Sequence, residues 1–230
     1  MRYLTIAIAA TVLAPVSVAR ATPAAQKPPA VSDAKLQQAL ALARLSDPED
    51  VTVEVTLANF KAGLLNGLSK GGGAITLEAK RPGIVSKMIA GAQPIIVADV
   101  HRRIPTLWNR TAQIYARELS SDQIAGLTSF FQSTVGRKLL ERSVPAIDLP
   151  TGVEDPAPPK QVELNGADMA ELQKFAATDP GKVLDRVGPM VDKARDSWAE
   201  ESDPEFDKAL MDNLAKIMNE LASERSPDKK

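Results

Sequence analysis

Two short segments of this chain pair a hydroxyl, a glycine and cations at helical spacing. Ser133-Thr134-Val135-Gly136-Arg137-Lys138 is the first, and Thr178-Asp179-Pro180-Gly181-Lys182 is the second. A hydroxyl there caps the helix that follows, leaving backbone N–H groups and a cation at its positive end, a combination that can hold an anion. The structural reading of the same residues is a tight corner: Ser133 or Thr178 as cap, Gly136 or Gly181 for close approach, Arg137, Lys138 or Lys182 in solvent. These residues are the candidate binding site, and the corner reading carries more weight than the anion.

Other chemistry finds little support. His101 is the only histidine, so it would have to be the general base of any serine nucleophile. It lies in Val100-His101-Arg102-Arg103 with no Gly-x-Ser-x-Gly elbow in the chain, which favours a surface side chain. Asp203, Glu205 and Asp207 resemble the start of a calcium loop, but the glycine and the distant glutamate are missing and Pro204 suits a helix start. No metal site is expected. Ser69-Lys70-Gly71-Gly72-Gly73 lacks the Gly-Lys-Ser/Thr of a phosphate loop and reads as a connector. Glu118, Asp122, Glu141, Glu163 and Asp168 flank the two hydroxyl–glycine segments, and paired carboxylates cleave glycosidic bonds. At helix starts such groups are usually solvated caps. Trp108, Tyr115, Phe130 and Phe131 suit a core better than an apolar groove. No catalytic residue and no cofactor are expected.

The residues that hold these groups read as helices throughout. Leu36, Ala39, Leu40 and Ala43 keep helical spacing. Asp47-Pro48-Glu49-Asp50 is a helix start, with proline early and acids at the positive end. Val51, Val53, Val55 and Leu57 alternate like a strand, yet Val51, Val55, Ala58, Ala62 and Leu65 fit a helix, and the start signal decides for helix. Ser69 to Gly73 ends it. Pro82-Gly83 opens an apolar-periodic region reaching Leu119, which Pro94 and Pro105 should kink or split. Ser120 with Gln123 predicts a capping box and a helix to Phe131. A short helix over 135–144, a proline-rich linker or strap over 148–163 and a helix capped by Asn165 follow. Pro180 starts the next helix, and Asp203-Pro204-Glu205 starts the last.

An offset of 45 residues aligns Leu119 to Leu139 with Leu164 to Leu184. Identities fall at Leu119/Leu164, Ala125/Ala170, Leu127/Leu172, Phe130/Phe175, Gly136/Gly181 and Leu139/Leu184. Each stretch reads as capped helix, turn and second helix, so two related hairpins are expected to pack together. The first stretch, Tyr115 to Leu140, resembles the secreted bacterial family called domain of unknown function 2059. The likeness rests on the capped acidic start Ser121-Asp122, the aromatic pair Phe130-Phe131 and the Ser133-x-x-Gly136-x-Lys138 turn. Thr134 stands where that family usually has proline, and in the second stretch Pro180 comes one position later. The resemblance implies an all-helical, exported protein and brings no catalytic residues with it.

The N-terminus agrees with export. Arg2, the apolar run Tyr3 to Ala14, Pro15 and Ala19-Arg20-Ala21 form the layout of a signal peptide, with cleavage expected before Thr22. A Pro/Ala linker covers 22–31, and 226–230 is a polar tail. The expected domains are 32–147, with the first hairpin, and 164–225, with the second. Without residues 1–21, 26 basic residues face 29 acidic ones, a net charge of −3 that gives no drive toward nucleic acid. Zero cysteines exclude disulfides, thiolate metal sites and a lipid-anchoring cysteine. No later stretch is apolar enough to predict a transmembrane helix.

The resulting expectation is an all-α bundle of six to eight helices. Its function is expected to be that of a non-catalytic binding or accessory module of the cell envelope, periplasmic or secreted, acting on an envelope protein or ligand. A carboxylate-based envelope hydrolase and a binder of apolar ligands or lipids are the alternatives.

Overall fold

In the computed structural model, residues 31–70, 73–201 and 203–223 are described. The expected signal peptide, most of the 22–31 linker and the 226–230 tail lie outside them. Nine helices occur among the described residues, and no strand. They are α1 (Asp33–Ser46), α2 (Glu49–Lys70), α3 (Ala74–Lys80), α4 (Ile84–Glu118), α5 (Ser121–Gln132), α6 (Thr134–Arg142), α7 (Gly166–Ala176), α8 (Asp179–Glu200) and α9 (Pro204–Ser223). The helical reading of Val51 to Leu65 holds. The helix beyond the expected count is α3, seven residues set between Gly73 at φ 90° and Gly83 at φ 82°. Left-handed backbone at both places suits glycine and allows the chain to reverse sharply.

Helix α4 is the spine. Of the kink or split expected at Pro94 and Pro105, the split does not occur: one helix runs through both. Both prolines are exposed, so the carbonyls of Ala90 and His101, which lose their usual N–H partners, lie on the water side. The opposite side carries an unbroken buried stripe, including Ile89, Ile96, Val100, Ile104 and Leu107. Continuous burial on one face holds the helix together where propensity would break it.

Two apolar clusters line this spine. The N-terminal half of α4 packs with Leu57 of α2, Ala74 of α3, Trp198 of α8 and the inner face of α9, where Phe206, Leu210, Leu214 and Ile217 lie. The C-terminal half packs with Leu42 of α1, Ile124 and Leu127 of α5, and Val183 and Val187 of α8. Trp108 touches both clusters. The outer face of α9 leaves Met211 and Met218 exposed.

A buried polar junction joins the α1–α2 corner to α4 and α8. Asp47 is 5% exposed. Its carboxylate accepts from Arg195 Nε at 2.6 Å, and its carbonyl accepts from Trp108 Nε1 at 2.8 Å. Arg195 also donates to the carbonyl of Ser46, whose hydroxyl accepts from the Tyr115 hydroxyl at 3.1 Å. Burial, seconded by the Asp47 charge, pushes the Tyr115 phenol up to about 12.

That shift has a pH signature. The phenol stays protonated in the fold to higher pH than in the unfolded chain, so stability is intact below about 10 and falls as pH rises toward 12. Two units are worth about 3 kcal/mol. An ultraviolet titration should resolve one late-ionising tyrosine, and Tyr115→Phe should remove that step. Ionisation of Tyr115 near 10 in the folded chain would refute the buried junction.

Candidate functional site

The two turns singled out by sequence share one construction. Ser120 accepts from the Gln123 N–H, and Gln123 Oε1 accepts from the Ser120 N–H, which starts α5 with a full capping box. Asn165 and Asp168 do the same for α7. At the next corner the Ser133 hydroxyl accepts from Gly136 N at 3.1 Å, and the Thr178 hydroxyl accepts from Gly181 N at 3.1 Å. A Cβ on Gly136 would lie 2.1 Å from the Phe130 carbonyl oxygen, and one on Gly181 would lie 2.1 Å from that of Phe175. Each corner is therefore closed by backbone approach that only glycine permits.

The hairpins meet through aromatic rings. Phe130 and Phe175 stack with centroids 3.7 Å apart and planes 6° from parallel. Phe131 packs edge-on to Phe130 at 5.3 Å. Stacking at this distance leaves no room for a ligand between the two rings. Gly126 lies against the Pro180 ring, which brings α5 onto the start of α8.

The cations of the turns are mostly engaged. Arg137 pairs with Asp50 of α2 and with Glu141 at 2.8 Å. Burial raises the Asp50 carboxyl, but the hydrogen bond and charge of Arg137 outweigh it and hold the group below its ordinary value. Lys138 pairs with Asp168 at 2.8 Å, and this hydrogen bond, with one from the Asn165 N–H, lowers the Asp168 carboxyl. Lys182 is exposed in the first turn of α8. An anion at the first corner would have to compete with the chain's own carboxylates.

The remaining sequence candidates are placed as follows. His101, with 76% of its side chain exposed, meets Glu49 at 2.9 Å. Asp203 caps α9, accepting from the N–H groups of Glu205 and Phe206, and pairs with Arg102, whose hydrogen bond lowers the Asp203 carboxyl. Glu118 pairs with Arg186 at 2.7 Å. Among the described residues no group of three or more His, Asp or Glu side chains is arranged to hold a metal. Among the described residues, the carboxyls of Asp50, Asp168, Glu201 and Asp203 are displaced from their ordinary acidity, and all four move down. A glycosidase acid needs the opposite displacement.

Sequence reasoning missed a cleft on the other half of the molecule. Residues 143–165 run as an extended strap across α2 and α4, with Leu149, Val153 and Ala157 packed into the second cluster. Lys61, 2% exposed in the middle of α2, pins it. Its ammonium donates to Asp155 at 2.8 Å and to the Ala157 carbonyl at 2.5 Å. Ser86 of α4 donates to the Glu154 carbonyl at 2.5 Å. Between strap and helices lies a cleft of about 260 Å³, bordered by Glu54, Leu57, Lys61 and Gln93 on the helices and by Ile147 and Pro156 on the strap. One signal was available: Glu54 and Lys61 fall three and four residues from Leu57 and Ala58, on the face that α2 buries.

The glycine corners give a paired prediction. Gly136→Ala should destabilise the protein by about 1–3 kcal/mol, because the methyl displaces backbone and not a movable side chain. Gly63→Ala, on an open face of α2 with nothing within 4 Å, should stabilise it by about 0.5–1 kcal/mol. Chemical denaturation of both variants checks the pair, and equal effects would refute the close approach at residue 136.

No curated protein and no solved structure matches this chain. No single helix among the described residues is long and apolar enough to cross a membrane. Residues 107–148, which run from the last turns of α4 through the α5–α6 hairpin into the strap, match the model of the family described as "Uncharacterized protein conserved in bacteria (DUF2059)".

Proposed function

We propose that this protein is an exported, non-catalytic binding module of the bacterial cell envelope, and that its ligand seat is the cleft between α2, α4 and the strap. One observation carries this reading. The cleft is a preformed hollow of about 260 Å³, below the usual size of a drug-sized ligand's site and so suited to a smaller molecule, with the apolar lining and few polar groups that such sites share. The carboxylates and cations of the hairpins, in contrast, are largely paired with one another and serve the fold.

The two hairpins fit copies of one unit. Capping boxes, hydroxyl–glycine corners and the stacked phenylalanines all recur at the same offset. In this reading α5–α6 and α7–α8 form a scaffold that sets the strap between them, and the strap completes the cleft. Export rests on the layout of residues 1–21, with cleavage after Ala21.

A photo-crosslinking residue placed at Gln93, on the cleft, or at Lys182, on the second turn, tests this in growing cells. The full chain is expected to be recovered from the envelope fraction with a new N-terminus at Thr22. An adduct is expected from position 93 and not from position 182. Retention of residues 1–21 in the cytoplasm, or adducts from position 182 alone, would overturn the reading.

A further inference from the structure

We propose that the cleft selects a small primary alkylammonium ion, with Glu54 as its counter-charge; this rests on the reading of the cleft as the ligand seat. The Oε2 atom of Glu54 is buried and has no hydrogen-bond partner. A carboxylate oxygen stripped of water and left unpaired is costly, so it marks a place where a donor belongs. Glu54 borders the cleft.

The cation in the lining of the cleft is already committed. Lys61 spends its ammonium on Asp155 and on the Ala157 carbonyl, which hold the strap. Glu54, Lys61 and Asp155 together therefore leave one negative charge without a partner. A monocation entering the cleft removes that imbalance, and an anion would double it.

The rest of the lining narrows the choice. Pro156, Pro158 and Pro159 contribute no backbone N–H, and the Ala157 N–H is spent on the Asp155 carboxylate at 3.0 Å, so this stretch of strap offers the cleft acceptors and apolar rings. The cleft has no aromatic residue in its lining, which removes the usual means of holding a quaternary ammonium. Leu57, Ala58 and Ile147 supply an apolar wall for a short alkyl stem. A primary ammonium brings three donors on a compact head, suited to a single orphaned oxygen and the Gln93 amide oxygen. A guanidinium is a wide planar fork that gains most from a fully open carboxylate.

The test titrates the full chain with n-butylammonium and, in parallel, with n-butanol, following the backbone amide resonances of residues 53–61 and 93 by NMR. n-Butylammonium is expected to give saturable shifts at these positions, with a dissociation constant at least about tenfold below that of n-butanol. Glu54→Gln, which keeps the shape and removes the charge, is expected to abolish that preference while leaving resonances outside the cleft in place. Equal binding of the two compounds would overturn the ammonium assignment and leave the cleft standing as a binding seat. Shifts from neither compound would also overturn it, and the crosslink at position 93 then decides separately whether the cleft binds anything. Because the comparison of amine with alcohol is made on the unaltered chain, a Glu54→Gln variant that fails to fold does not remove the test.

Discussion

Asp47 is the residue on which the arrangement depends. It sits between α1 and α2, and its carboxylate, at 5% exposure, is paired with Arg195 reaching across from α8 and lies 3.3 Å from the Ser46 hydroxyl. Its own carbonyl is held by Trp108 of α4. One residue therefore fixes three helices to one another, and none of those contacts lies within about 60 positions along the chain. A hydrophobic contact could have closed this corner with less electrostatic cost, but it would accept many packing angles. A buried charge that must meet an opposite charge accepts few.

From this junction the rest of the molecule follows in order. Trp108 lies where the two apolar clusters meet, so fixing it sets how the halves of α4 are dressed. The C-terminal half receives α1, α5 and α8. The N-terminal half receives α2, α3, α9 and the strap. A second set of charges repeats the device at the far end of α8: Asp99 holds Arg102 and Arg103, and Arg103 lies 4.7 Å over the Trp198 ring. The cleft is a product of these constraints, since α2 leaves the Asp47 corner already oriented and the strap must then cross it.

Local chemistry was legible in the sequence, and distant chemistry was not. Capping at Ser120 and Asn165 involves residues three apart, so the letters alone announce it. The glycine corners were readable for the same reason. Pro94 and Pro105 do not split α4 because proline states a local cost, whereas continuity was set by a buried stripe running from Ile84 to Ala116. The stacking of Phe130 on Phe175 was visible only as two aligned phenylalanines. The bond from Lys61 to Asp155 spans 94 positions and left no mark beyond a lysine on an apolar face. For Glu54 the sequence showed only a glutamate on that same face, since the lack of a partner for its Oε2 depends on the packing around it.

The reach of α4 bears on what the matched segment represents. Residues 107–148 contain the end of α4 with α5 and α6, and their buried side chains include Tyr115, Leu119, Ile124 and Leu127. The surfaces that cover those side chains come from α1 and α8, both outside the segment. Cut out alone, these 42 residues would expose most of what they now bury. In this chain the matched stretch is thus a seam and not a self-sufficient unit: α1 and α8 have to close over it before its apolar side chains leave water.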